Sequence, residues 1–292
     1  MASVQQLKSR IKSVKSTKQI TGAMELVSAS KMRRATANVK ETFDYAQATR
    51  ELLSDLAHDP ETVASHKLFA KRPVKKRLLI AISSDSGLAG AYNANIFKTF
   101  ANELKADDSR HVQAEALTLG RKVSEFANKL RDVHVLASFA KLPDQPTGAE
   151  IKSLLKMSID EFVSQNVDAV DIIYTKFHTT ISQEVVVERL LPAGSSSDQD
   201  FAKVSEPLRE AEFEPSRAEV LDAVVERMVE TGIVQALLDS RASEHSMRML
   251  AMKNATDNAN DLVDDLTLAM NKERQARITQ ELTEIISGSA AV

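Results

Sequence analysis

The placement of proline constrains this chain more than any other feature. Seven are present, at Pro60, Pro73, Pro143, Pro146, Pro192, Pro207 and Pro215, and none lies in residues 1–59 or 216–292. A proline within a helix removes a backbone donor and clashes with the preceding turn, costing about 3 kcal/mol or more. The two proline-free ends can therefore each carry one uninterrupted helix, far beyond ordinary helix length. Fifty to seventy helical residues reach about 75–105 Å at ~1.5 Å per residue, too long to fold back into one compact core. The pattern predicts helices over 1–59 and 216–292 that pair as an antiparallel coiled coil.

Apolar spacing supports the pairing. Val4, Leu7, Ile11 and Val14 follow three-four spacing, and the same frame returns at Met32, Ala35, Val39, Thr42, Ala46, Thr49, Leu53 and Leu56. Between them the frame meets Lys18, Thr21, Glu25 and Ser28, while apolar residues move to Ile20, Met24 and Val27. The spacing predicts a stripe that rotates around the helix there, as at a stutter. Near the other end, Met252, Ala255, Ala259, Leu262, Leu266 and Ala269 hold a frame that then meets Glu273 and Gln280, with apolar residues moving to Ile278, Leu282 and Ile285. The alternative, two amphipathic helices laid over a globular core, calls for a broader apolar stripe than either end shows.

Residues 75–191 read differently. The runs 77–83, 112–118, 133–138 and 169–177 are short and β-rich, and they alternate with helical candidates at 92–105, 120–130 and 148–165. Such alternation predicts a Rossmann-like α/β domain with a mostly parallel sheet. The run 181–191 follows the fourth strand too closely for a crossover helix, which makes it antiparallel. Residues 192–215 read as a polar linker.

Several functions find no support. The absence of cysteine removes disulfides, thiolate metal sites and cysteine nucleophiles. The six histidines are scattered without metal-binding spacing. No apolar run approaches the roughly 18–20 residues that cross a bilayer, and the N-terminus has no apolar signal core, so the expectation is an intracellular chain that is soluble on its own. SDSGLAGAYN (84–93) sits between a strand and a helix, where phosphate loops occur. It matches neither GxxxxGK[ST] nor GxGxxG, which favours a tight turn over a nucleotide site. No cofactor or metal is expected.

Charge is asymmetric. Residues 1–40 carry nine basic side chains against the single acid Glu25, whereas residues 217–292 carry eight basic and thirteen acidic ones. A basic rod can bind nucleic acid, but residues 1–40 hold no aromatic side chain for base stacking. Acidic loops of a protein partner account for the asymmetry equally well.

Three blocks carry a family resemblance. IKSVKSTKQITGAMELVSASKMRRA (11–35), ISSDSGLAGAYN (82–93) and residues 242–292, with FEP (213–215) ahead of the last, resemble the γ subunit of F-type ATP synthases. Ser86 stands where that family usually has Arg, and Ala89 where many members have Cys. The lack of a cysteine-bearing insertion of the chloroplast kind favours a bacterial member.

The resemblance implies a non-catalytic central-stalk rotor. Its coil would enter the hexamer of α and β subunits. Its α/β domain, with the ε subunit, would sit on the membrane c-ring at the cytoplasmic face of the plasma membrane, coupling proton-driven rotation to ATP synthesis and hydrolysis. No nucleic acid and no directly bound nucleotide are implied. If the ends of the two regular frames are partners, facing positions sum to about 272 along the antiparallel coil, setting Met24 near Arg248. The last ~20 residues then run past the N-terminus as a single helix. Ile278, Leu282 and Ile285 would face a sleeve in the hexamer, and by resemblance Arg274, Gln275, Thr279, Glu281 and Glu284 would contact the catalytic subunits. Lys31, Arg33 and Arg34 are candidates for their acidic loops.

Overall fold

The computed structural model describes residues 3–56, 66–130, 133–139, 149–193, 214 and 216–289. Helix α1 spans Val4–Leu56 and helix α5 spans Arg217–Ser289, 53 and 73 residues long. Each opens on a reciprocal cap. Gln6 N–H donates to Ser3 Oγ at 3.3 Å while Ser3 N–H donates to Gln6 Oε1 at 3.0 Å. Glu219 N–H donates to Ser216 Oγ at 3.2 Å, and Ser216 Oγ donates to Glu219 Oε1 at 3.4 Å. A serine followed three residues later by Glu or Gln satisfies donors that a helix start leaves open.

Between them, a short 3-10 turn (Lys67–Phe69) leads into β1 (Lys76–Ile82), α2 (Tyr92–Ser109), β2 (Gln113–Leu119), α3 (Arg121–Ala127), β3 (His134–Phe139), α4 (Ala149–Val163), β4 (Ala169–Phe177) and β5 (Gln183–Leu191). The sheet order is β3-β2-β1-β4-β5, with β5 antiparallel to β4 and the other pairs parallel. The expected α/β alternation and the antiparallel last strand are both present. Residues 1–2, 57–59, 131–132, 140–148, 194–213, Pro215 and 290–292 of the expected segments lie outside the described residues.

Contacts divide the chain into two compact units, Met1–Ala29 with Arg248–Val292, and Ser30–Met247. In the second unit, side chains alternate across the sheet as the pleat requires. Leu79, Ala81, Ala116 and Ile173 pack with Phe100, Val123 and Ala127 of α2 and α3. Leu78, Ile80, Ile82, Leu117, Val170 and Ile172 point the other way, onto Leu154 and Phe162 of α4, Leu53 of α1, and Leu221, Val225, Val229, Ile233 and Leu237 of α5. The first third of α5 thus does what the coiled-coil reading set aside: it covers a globular core with an apolar face. The expected frame, starting at Met252, missed this earlier stripe.

A buried charge network ties the sheet together. Arg77 of β1 donates to Asp171 of β4 and reaches Asp107 and Glu103 of α2 at 3.0 and 2.8 Å, while Arg189 of β5 donates to the same Asp171. Burial opposes charge on Arg77, but Asp171, Glu103 and Asp107 outweigh it and hold its pKa above the usual value.

The first unit corrects the expected coil in two respects. The stripe on α1 does not rotate. Thr21 and Ser28 are buried, whereas Ile20 and Val27 are each 58% exposed. The buried hydroxyls remain inside because they bond to their own helix: Ser28 Oγ donates to Met24 O at 2.7 Å, and Thr21 Oγ1 lies 3.1 Å from Lys18 O. Small side chains satisfied in this way keep the frame inward, with Lys18 and Glu25 beside them only half-buried. The register also differs. Thr21 Oγ1 meets Thr256 Oγ1 at 2.7 Å, where the expected register puts Ala251, a shift of five residues or about 7.5 Å. Leu268, taken as the partner of Val4, is 72% exposed. The covered face of α5 instead runs through Met252, Thr256, Ala259, Val263, Leu266 and Met270, and leaves Leu262 and Ala269 outside.

Candidate functional site

Every residue of α5 from Arg274 to Ser287 is exposed. Ile278, Leu282, Ile285 and Ile286 recur at helical spacing along this stretch, forming one apolar stripe that the chain itself leaves open to solvent. Ile286 belongs with the three expected residues and was legible from the same spacing. Polar residues alongside are stiffened along the helix. Arg277 Nε donates to Glu281 Oε1 at 3.1 Å, Gln280 Nε2 donates to Glu284 Oε1 at 2.9 Å, and Thr279 Oγ1 donates to Gln275 O at 3.0 Å. Arg274 and Gln275 are exposed.

The expected residues on α1 separate by environment. Met24 is half-buried, while Lys31, Arg33 and Arg34 are exposed. Arg33 lines an open groove with Met32, Thr36, Lys40, Phe177 and Thr180. Arg248 is only 9% exposed, so most of its surface already lies within the chain. Met24 and Arg248 share the first unit, but the register fixed by Thr21 and Thr256 sets Met24 across from about residue 253, near Lys253 rather than Arg248. Leu26, 73% exposed, extends the outward apolar set of Ile20 and Val27, the two that the expected seam had drawn inside.

The loop 84–93 makes a turn held by its own polar groups. Ser84 N–H donates to Asn93 Oδ1 at 3.2 Å, and Asn93 Nδ2 donates to Ser84 Oγ at 2.8 Å. Leu88 and Gly90 take the left-handed conformation, with φ of 60° and 55°. Ala89 packs with Tyr92 and Ile96 in a small core cluster, which explains why a small side chain is accepted there. Beside β1 and β4 the sheet reverses direction of winding, the place where doubly wound folds take ligands. Here α5 fills it: Arg241 Nη2 donates to Asp85 Oδ2 at 3.4 Å, Ser243 Oγ donates to Thr175 O at 3.2 Å, and Thr175 N–H donates to Ser240 Oγ at 3.4 Å. A nucleotide would have to displace the helix. Burial opposes charge on Arg241, yet Glu244 and Asp85 outweigh it and raise its pKa.

No helix among the described residues is long and apolar enough to cross a membrane. Among those residues no cluster of His, Asp or Glu is arranged to hold a metal. What the geometry presents is a set of surfaces for partners.

Comparison with known proteins agrees with this picture. The family model described as ATP synthase matches residues 3–292. The ATP synthase gamma chain of Xylella fastidiosa is 39% identical over all of both chains, and that of Exiguobacterium sibiricum is 41% identical over all of this chain and 99% of the relative. Among solved structures, a chain of the Euglena gracilis mitochondrial ATP synthase (OSCP/F1/c-ring) matches with a TM-score of 0.67 at 17% identity, covering 99% of this chain and 94% of that one. A Tetrahymena thermophila central stalk/c-ring structure matches with a TM-score of 0.58 at 24% identity, covering 81% and 99%. At these identities the structures speak to the fold alone, whereas the full-length relatives and the family match make this chain a member of the ATP synthase γ chain family.

Proposed function

We propose that the chain is the non-catalytic central-stalk rotor of an F-type ATP synthase, with the α/β hexamer, the ε subunit and the membrane c-ring as partners. The observation that carries this is the end of α5: residues 274–287 are exposed and present apolar side chains on a stiff single helix. Exposed isoleucines in such an array need a partner surface. A sleeve formed by the catalytic hexamer supplies one, with Arg274, Gln275, Thr279, Glu281 and Glu284 beside the stripe. Lys31, Arg33 and Arg34 meet acidic loops of the same subunits, and Met24 and Arg248 lie in the zone of contact.

Coupling follows from differential contact. A shaft whose sides differ favours a different catalytic conformation at each orientation, so turning it moves the three sites through their states in sequence. Attachment is peripheral, at the cytoplasmic face of the plasma membrane, and proton flow through the c-ring drives the rotation. The coil pairs the start of α1, up to Ala29, with α5 from Arg248 onward, and the remainder of both long helices belongs with the α/β domain. The test is reconstitution with the catalytic and non-catalytic subunits. A cooperative ATPase of the normal stoichiometry should require this chain, and an equally good one formed without it would refute the reading.

A further inference from the structure

Packing of α5 changes character at residue 239. Through Leu238 its inward side chains are apolar apart from Thr231, but from Asp239 to Ser246 the buried side chains are polar apart from Ala242. From Ala236 to Ser246 all but Arg241 are buried, so the helix is enclosed around its whole circumference for three turns. Helices buried all round are ordinarily apolar all round. This one is held by directional bonds instead.

Three serines make the grip. Ser240, Ser243 and Ser246 recur every third residue, so each lies about 60° further round the helix than the last. Ser240 accepts from Thr175 N–H at 3.4 Å, Ser243 donates to Thr175 O at 3.2 Å, and Ser246 donates to Thr180 O at 2.6 Å while accepting from Gln183 Nε2 at 3.3 Å. Arg241 adds a fourth direction, bridging Asp85 of the β1–α2 loop at 3.4 Å and Glu244 at 3.0 Å. An apolar face resists separation but allows a helix to roll. Hydrogen bonds placed at successive angles resist rolling, because any rotation breaks several at once.

We propose that residues 240–246 of α5, with Asp85, Thr175 and Thr180, form a torsional anchor through which torque passes between α5 and the α/β domain. The inference rests on the rotor reading. Arg241 and the three serines act as positioning residues: they touch no nucleotide and fix the angle of the helix relative to the sheet.

The test uses the assembled complex in sealed vesicles, carrying the wild-type chain, Arg241→Leu, or the double variant Ser243→Ala/Ser246→Ala. ATP hydrolysis and ATP-driven proton uptake are measured together, with and without an opposing gradient. Both variants should assemble and hydrolyse ATP, while the ratio of uptake to hydrolysis falls about twofold or more against the gradient, from the loss of directional bonds. Without load the fall should be smaller. The serine variant nearly preserves side-chain volume, so it decides the matter if Arg241→Leu fails to assemble. An unchanged ratio in the serine variant overturns the anchor, as does a parallel loss of hydrolysis and uptake that leaves the ratio at the wild-type value. A wild-type complex whose uptake does not depend on this chain overturns the rotor reading instead.

Discussion

Thr21 of α1 and Thr256 of α5 meet hydroxyl to hydroxyl at 2.7 Å, and each also lies within reach of its own helix, at Lys18 O and Met252 O. With one proton apiece, one hydroxyl donates across the coil while the other donates back along its helix. The contact fixes the register. Replacing Thr21 alone by Val leaves a partner hydroxyl facing a methyl group and should cost about 1 kcal/mol, whereas the Thr21→Val/Thr256→Val double variant should be nearer neutral. A double-mutant cycle on thermal unfolding should therefore give a coupling of about 0.5–1.5 kcal/mol.

Asp239 gives an unusual pH dependence. Burial raises its pKa to about 6; Gln235 and Lys176 lower it, and Glu188 raises it further. A carboxyl titrating higher in the fold than in the unfolded chain favours the fold most when neutral. That stabilisation is full below about pH 4 and is lost as pH rises through about 6, amounting to about 3 kcal/mol at most. Asp239→Asn should remove this slope and make the chain more stable than wild type at pH 8. Denaturant unfolding at pH 5 and pH 8 would check it.

Two glycines should behave in opposite ways. Gly120 has φ of 98°, and a Cβ there would lie 2.2 Å from Ser83 O, which is backbone and cannot move aside. Gly120→Ala should cost about 3 kcal/mol or more. A Cβ on Gly87 meets nothing within 4 Å, so Gly87→Ala should change stability by about 1 kcal/mol or less. Melting temperatures of the two variants should separate accordingly.

Arg77 sits among three carboxylates, with Asp107 and Asp171 each 2% exposed. Arg77→Leu strands buried negative charge and should cost about 3–5 kcal/mol. The loss should be partly recovered at low pH, where Asp107, whose pKa burial already raises, is protonated. A pH series of unfolding curves would show it.

Much of this was legible in the sequence, and what was missed has identifiable physical causes. Proline placement located both long helices, because a proline's effect is local. The mostly parallel sheet followed from alternating patterns and the direction of β5 from the shortness of its connection, whereas the strand order was not read from the sequence. The caps at Ser3/Gln6 and Ser216/Glu219 were missed, although the serine-to-Glu/Gln spacing is itself the signal. The coil seam was not. Apolar spacing alone assigned Ile20 and Val27 to the inside, but hydroxyls that bond to their own helix let Thr21 and Ser28 take the buried face. The polar enclosure at 239–246 was hidden for the same reason: burial there depends on hydrogen-bond partners distant in sequence.

The tail offers a separation of stability from function. Truncation after Met270 removes residues that are exposed beyond Glu273. The isolated chain should keep its melting temperature within a few degrees, about 1 kcal/mol, while the assembled complex should lose torque or stability.

Rotation itself tests the central claim most directly. The chain has no cysteine, so Lys129→Cys on the exposed surface of the α/β domain gives a single attachment point for a bead on a hexamer fixed to glass. With ATP the bead should turn in one direction, in steps, and stop when ATP is removed. A hexamer that contains the chain and hydrolyses ATP cooperatively while the bead shows only random motion would contradict the account.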